Sequence, residues 1–140
     1  MAAEDEVRQA SERFYAALNR VLEENDTGPM EEIWSHGSAV SAMHPFGGRM
    51  LGWEEVRSSW EQAAQAFSGG QVTPDDVVVV ALTDDAAYTL GTERGQGSIG
   101  GETVSIDWRA TNAYRREADG WKMVHHHTDF SSEVAEALGM

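Results

Sequence analysis

Apolar residues recur at helical spacing in the first third of the chain and at alternate positions in its second half. Val7, Ser11, Phe14, Leu18 and Val21 fall on one helical face, behind a first turn that carries Glu4, Asp5 and Glu6. Carboxylates there favour the positive end of a helix. Asn25-Asp26-Thr27-Gly28 breaks this helix, and Pro29 suits the first position of a short second one ending near Trp34. Ser38 to Met43 reads as a short strand closed by His44-Pro45-Phe46-Gly47-Gly48. Pro45 disfavours a helical His44, which places that histidine at the strand end or in the following loop. Val56, Trp60, Ala63 and Phe67 define a third helix, with Gly69-Gly70 to stop it.

From residue 71 the period becomes two. Residues 72–82, 86–96, 102–116 and 121–130 read as strands, separated by the turn signals Asp84-Asp85, Gly100-Gly101 and Asp119-Gly120. Short turns imply antiparallel neighbours. Helices first and a meander last predict an α+β fold in which the helices cover one face of the sheet. The length of 140 residues suits one domain over 1–140, with no repeat or long linker to divide it.

Charge narrows the partners. With 10 Lys+Arg against 24 Asp+Glu the formal charge is −14, which disfavours nucleic acid and anionic membrane surfaces. The acid lies mainly in residues 1–32 and 71–107, whereas the final hairpin holds Arg109, Arg115, Arg116 and Lys122. Cysteine is absent, so thiol nucleophiles, disulfides and Cys-liganded metals are excluded. The first residues, MAAEDEVRQASE, contain no apolar core of a secretory signal, and Val77–Leu82 is too short to span a bilayer. A cytoplasmic location is the resulting expectation.

Three segments carry a family resemblance: residues 13–19 (RFYAALN), 42–52 (AMHPFGGRMLG) and 109–128 (RATNAYRREADGWKMVHHHT). Through them the chain resembles the SnoaL-like, nuclear transport factor 2-like superfamily over essentially its whole length, and it also looks like the calcium/calmodulin-dependent kinase II association domain. The resemblance implies a conical barrel, a curved antiparallel sheet wrapped around three N-terminal helices. It further implies a pocket between the helices and the concave face, and a homodimer through the sheet. In the ketosteroid isomerases of this fold a general-base aspartate stands where this chain has His44, and an oxyanion-binding tyrosine where it has Phe14, one residue from Tyr15. Phenylalanine donates no hydrogen bond, so the steroid-isomerase mechanism does not carry over, although a histidine at position 44 can accept a proton near neutral pH.

The densest chemistry is His125-His126-His127-Thr128-Asp129. Strict alternation puts His125, His127 and Asp129 on one face with Trp121 and Met123, which marks that face as the buried one and leaves His126 for the convex side. Two hairpin registers are open. A two-residue turn at Asp119-Gly120 sets Asn112 against His127 and Tyr114 against His125. A three-residue turn with Gly120 left-handed sets Thr111 against His127 and Arg109 against Asp129, and it is preferred because it pairs a scarce arginine with a carboxylate. The competing reading of Arg109 is a residue that satisfies the sheet rim.

His44, Arg109 and His127 are therefore the candidate catalytic residues, and Tyr15, Trp34, Trp60, Trp108, His125 and Asp129 the candidate ligand-binding ones. His-x-His can supply two metal ligands, but no carboxylate–histidine motif completes the set, so neither a metal nor another cofactor is expected. No Gly-x-Ser-x-Gly nucleophile elbow appears, and the paired glycines lie in a hairpin rather than before a helix, as a phosphate loop requires. The expected ligand is a modest, partly apolar organic molecule, an acid if Arg109 faces inward. The expected chemistry, if any, is acid–base: isomerisation, cyclisation or hydration. The alternative is a non-catalytic association or ligand-sensing module.

Overall fold

A computed structural model of the chain describes residues 2–140. Helix α1 (Ala3–Glu24) buries Val7, Ser11, Phe14, Leu18 and Val21, the stripe expected from the spacing, and adds Ala10, Tyr15, Ala17 and Leu22. It ends where Asn25 turns left-handed (φ 55°), a conformation that asparagine tolerates better than most side chains. The Asn25 amide then donates to the Phe67 carbonyl at 2.8 Å and to that of Ala64, tying the end of α1 to the end of the third helix. Helix α2 (Gly28–Ile33) follows with Pro29 in its first turn, and α3 (Trp53–Ala66) buries Val56, Ser59, Trp60 and Ala64.

Six strands form one sheet in the order β2-β1-β6-β5-β4-β3. They are β1 (Ser41–His44), β2 (Gly47–Leu51), β3 (Phe67–Ala81), β4 (Ala86–Ile99), β5 (Glu102–Glu117) and β6 (Gly120–Thr128). The expected α+β cone is present, with α1 to α3 against the concave face of a curved sheet that does not close. Three local features depart from expectation. Residues 47–51, of which Gly47 and Gly48 were expected in the segment closing the first strand, pair with β1 as a short edge strand. β1 runs parallel to β6 (Ser41 beside His125, Met43 beside His127), so the end of the chain is stitched to its first strand. A short helix α4 (Ser132–Ala137), capped by the Ser131 hydroxyl, closes the chain.

Gly69 and Gly70 do not stop α3, which ends at Ala66; they belong to β3. Their neighbours on β4 explain the glycine content. A Cβ on Gly95 would stand 1.8 Å from the Gln71 carbonyl oxygen, and one on Gly97 would meet the Phe67 ring at 2.6 Å. These close approaches let the two long strands bend sharply together, as glycines in strands often do.

The β5–β6 hairpin corrects the sequence reading in an instructive way. Its turn is two residues, Ala118-Asp119, between Glu117 and Gly120, yet Thr111 still faces His127. The reason is a β-bulge: Tyr114 pairs with Met123 but Ala113 pairs with His125, so Val124 is the extra residue. The bulge shifts alternation by one. Trp121 and Met123 point inward, and beyond Val124 it is His126 and Thr128 that continue the buried face. His125, His127 and Asp129, expected on the buried face, lie on the outer one.

Candidate functional site

Between the helices and the concave face lies a hollow of about 50 Å³, room for roughly three or four water molecules. Leu18 and Leu22 of α1, Phe67 and Val72 of β3 and Ile106 of β5 make most of its wall apolar. Pro45, Phe46 and Val134 of α4 border it as well. α4 is fastened there by Ser131 N–H donating to the Pro45 carbonyl at 2.7 Å and by Ser105 N–H donating to Glu133 at 3.0 Å.

Two histidines and one carboxyl group interrupt the apolar wall. His44 ends β1 because Pro45 holds it extended, and it is only 4% exposed. Its ring stacks on Phe46 (centroids 4.9 Å apart) and meets Trp60 edge-on at 4.8 Å. Nε2 lies 2.8 Å from Ser59 Oγ, and the Ser59 hydroxyl donates to the Val56 carbonyl at 2.6 Å. The serine proton is thus committed to Val56, so Nε2–H donates to Ser59 and Nδ1 is the unprotonated nitrogen. Burial lowers the His44 pKa to about 4, which keeps the ring neutral.

His126 stands 5.8 Å from His44, ring to ring, and is fully buried. Its Nδ1–H donates to Asn112 Oδ1 at 2.6 Å, leaving Nε2 with the lone pair. Burial, and after it the repulsion that two protonated rings this close would feel, pushes its pKa well below the ordinary value. Asn112 continues the chain by donating to the Tyr15 hydroxyl (3.5 Å), which donates to Glu93 Oε2 at 2.8 Å. Trp108 Nε1–H donates to the other Glu93 oxygen, also at 2.8 Å. Glu93 is 2% exposed, and burial raises its pKa against the opposing effect of those two donors. An unbroken series of hydrogen bonds therefore links His126 through Asn112 and Tyr15 to Glu93, across β6, β5, α1 and β4.

The sequence-derived residues divide across the sheet. His44, Trp60 and Trp108 line the hollow, and Tyr15 is held in the network behind it. Trp34 is buried elsewhere, against Trp53 at 6.5 Å and in a bridge to Met123. Arg109, His125, His127 and Asp129 are on the far side. Arg109 makes a two-pronged pair with Asp129 (2.9 and 3.0 Å) while its side chain is 84% exposed. That partner holds the Asp129 pKa down at about 2. His125 Nδ1 shares a 2.7 Å hydrogen bond with Ser41 Oγ. The strand parity set by the bulge keeps Arg109 and His127 out of the hollow that His44 lines.

Glu93, Asn112 and His126 are the residues that sequence reasoning passed over. Glu93 shares strand parity with Ala87 and Ile99, both buried, but glycines between them interrupt the apolar alternation. Asn112 shares β5 parity with the buried Val104, Ile106 and Trp108, whereas His126 depended on the Val124 bulge, for which the sequence holds no plain signal. Among the described residues no three His, Asp or Glu side chains converge as a metal ion requires, and no helix is long and apolar enough to cross a membrane.

Several solved structures share this architecture. A candidate dehydratase of the nuclear transport factor 2-like family from Streptomyces avermitilis superposes with a TM-score of 0.79 at 25% identity, covering 93% of this chain and 97% of its own. A candidate calcium/calmodulin-dependent protein kinase type II association domain from Thiobacillus denitrificans gives 0.65 at 30% identity, covering 89% and 94%. A ketosteroid isomerase-like protein from Erwinia carotovora atroseptica gives 0.75 at 15% identity, covering 90% and 94%, and shares the fold. No curated protein matches the sequence. The SnoaL-like domain model matches residues 7–131, and with the cone, its helices and its curved sheet in place, the chain belongs to the SnoaL-like domain family.

Proposed function

We propose that the chain binds a small organic molecule in the hollow and carries out acid–base chemistry on it, with His44 as proton acceptor and Glu93 as proton donor. One observation carries this reading. Two titratable groups on the wall of a single hollow are displaced in opposite directions by burial, the His44 pKa downward to about 4 and that of the Glu93 carboxyl group upward. Environments that push an acid and a base apart are how one site performs both halves of a proton transfer. His44 Nδ1 takes a proton from the ligand, and Glu93 returns one to a leaving oxygen or to a second carbon. Isomerisation, cyclisation and dehydration all fit this sequence. The candidate dehydratase among the similar structures points to the same class.

The reading is tested by following the imidazole nitrogens of the full chain by NMR between pH 5 and 8. His44 is expected to stay neutral with Nδ1 unprotonated throughout. Titration of His44 above pH 6 would overturn its role. A fragment screen by thermal shift supplies the second arm, with Ala63→Leu as control, because Ala63 is half-buried on the hollow wall and a larger side chain fills it.

A second reading has its own observation. The outer face carries exposed Val78 (51%) and Leu90 (42%), paired across β3 and β4, beside the Arg109–Asp129 pair. We assign this face to a homodimer, consistent with the association-domain likeness. A Leu90→Glu variant that sediments at the same mass as the unaltered chain would remove that assignment.

A further inference from the structure

We infer that the molecule held in the hollow is neutral and presents a hydroxyl or N–H group to His44 and His126, its remainder being apolar; it is not a carboxylate or other anion. This rests on the hollow being a ligand site, and it settles what the sequence left open, since an acidic ligand was expected only if Arg109 faced inward.

The hydrogen bonds decide the polarity. Ser59 consumes the only ring proton of neutral His44, and Asn112 consumes that of neutral His126. The nitrogens left over, His44 Nδ1 and His126 Nε2, are both acceptors, and no side chain or backbone group of the described residues donates to either. The rings stand 5.8 Å apart on the same wall, so a single donor group reaches the space between them. Charge points the same way. No lysine or arginine lines the hollow, and its one acidic side chain is Glu93. An anion there would lose its hydration beside two lone pairs and a carboxyl group, with no cation to offset the loss. Trp60 Nε1–H, buried without a partner on a lining residue, is free to serve one acceptor atom on a neutral ligand.

Size sets the scale. A space of about 50 Å³ admits a group of a few heavy atoms, and a ring enters by displacing Val134 and Phe46 at the edge. Phenol, toluene and benzoate share a ring and differ in the group offered to the histidines, so they are the probes. Their binding to the full chain at pH 7 is measured by calorimetry, and again on Val134→Ala, which widens the hollow. Phenol is expected to bind about three- to tenfold tighter than toluene, the worth of one neutral hydrogen bond, and benzoate more weakly than either. Ala63→Leu should abolish binding, and His44→Phe should bring phenol down to the level of toluene. Equal binding of phenol and toluene, or benzoate binding as tightly as phenol, overturns the inference and leaves the hollow as a ligand site. Binding of none of the three, to either the unaltered chain or Val134→Ala, overturns the ligand site itself. Phenol binding that survives Ala63→Leu lies elsewhere and also overturns the inference. Should His44→Phe fail to fold, the phenol-to-toluene ratio on the unaltered chain decides alone.

Discussion

The two faces of β5 and β6 carry similar residue types and opposite chemistry. Arg109, Thr111 and His127 point to solvent, while their neighbours Trp108, Asn112 and His126 are buried. On the outer face charge meets charge in water. The Arg109–Asp129 pair is well formed, yet high dielectric and counterions leave such pairs with little net effect. On the inner face His126, Asn112, Tyr15, Glu93 and Trp108 are tied to one another by hydrogen bonds. Displacement from ordinary behaviour there comes from burial, which water cannot relax. A concentration of histidine and arginine in a sequence therefore says where titratable groups are, and strand parity decides which of them do chemistry.

Truncation should separate the faces most widely. Trp108→Ala removes a buried ring and one of the two donors to Glu93, and should cost about 3–5 kcal/mol in urea unfolding. Thr111→Ala on the outer face should stay within about 0.5 kcal/mol. Similar losses at the two positions would break the comparison.

Acid should act on the inner face next. His44 has a folded-state pKa of about 4 against 6.5 for the free side chain, so the unfolded chain binds the extra proton between those values. Stability should therefore rise with pH from about 4 to 6.5, His44 alone contributing about 3 kcal/mol at the top of that window. His126 acts in the same direction. Glu93 acts in the opposite one: its raised pKa gives stability below its ordinary value of 4.5 that is lost as pH rises through the folded value. Glu93→Gln should remove that loss and steepen the rise. A flat profile from pH 4 to 7 in Glu93→Gln would mean that neither histidine is buried neutral.

The fold was legible because its signals are periodic. The α1 stripe and four long alternating strands survive an error of one residue at their ends. The site was half legible. His44 was placed by Pro45, a local constraint on a single dihedral angle, and Trp60 by its helical face. The histidine strand was misassigned by one position, because Val124 inserts a residue and a period of two converts one inserted residue into the wrong face. Glu93 was hidden for a different reason. Its strand runs Thr-Leu-Gly-Thr-Glu-Arg-Gly, where glycines that permit bending erase the apolar alternation that would have shown which side faces in. The parallel pairing of β1 with β6 joins segments about eighty residues apart, and no local pattern reports it.

Asn112→Ala sharpens the contrast within the network. It leaves His126 Nδ1–H without its acceptor in a site that water does not reach, and should cost about 1–3 kcal/mol. Asn112→Asp is the more telling variant. A carboxylate accepting from Nδ1 stabilises the charged imidazole, so the His126 pKa should move upward toward its ordinary value, as read by NMR titration. An unmoved His126 would detach it from Asn112.

The smallest effect is expected where the sequence drew most attention. Arg109→Ala should release Asp129, whose pKa then climbs from about 2 toward its ordinary 3.8 in a carboxyl NMR titration. Because the lowered value gives stability only above pH 3.8 and loses it toward pH 2, and because both groups stand in solvent, the unfolding midpoint at pH 7 should scarcely change and any change should vanish in molar salt. Phenol binding should be untouched as well, since the sheet lies between Arg109 and the hollow. A lost or weakened ligand in Arg109→Ala would mean that the two faces communicate, and the division between a chemical interior and a solvated exterior would have to be abandoned.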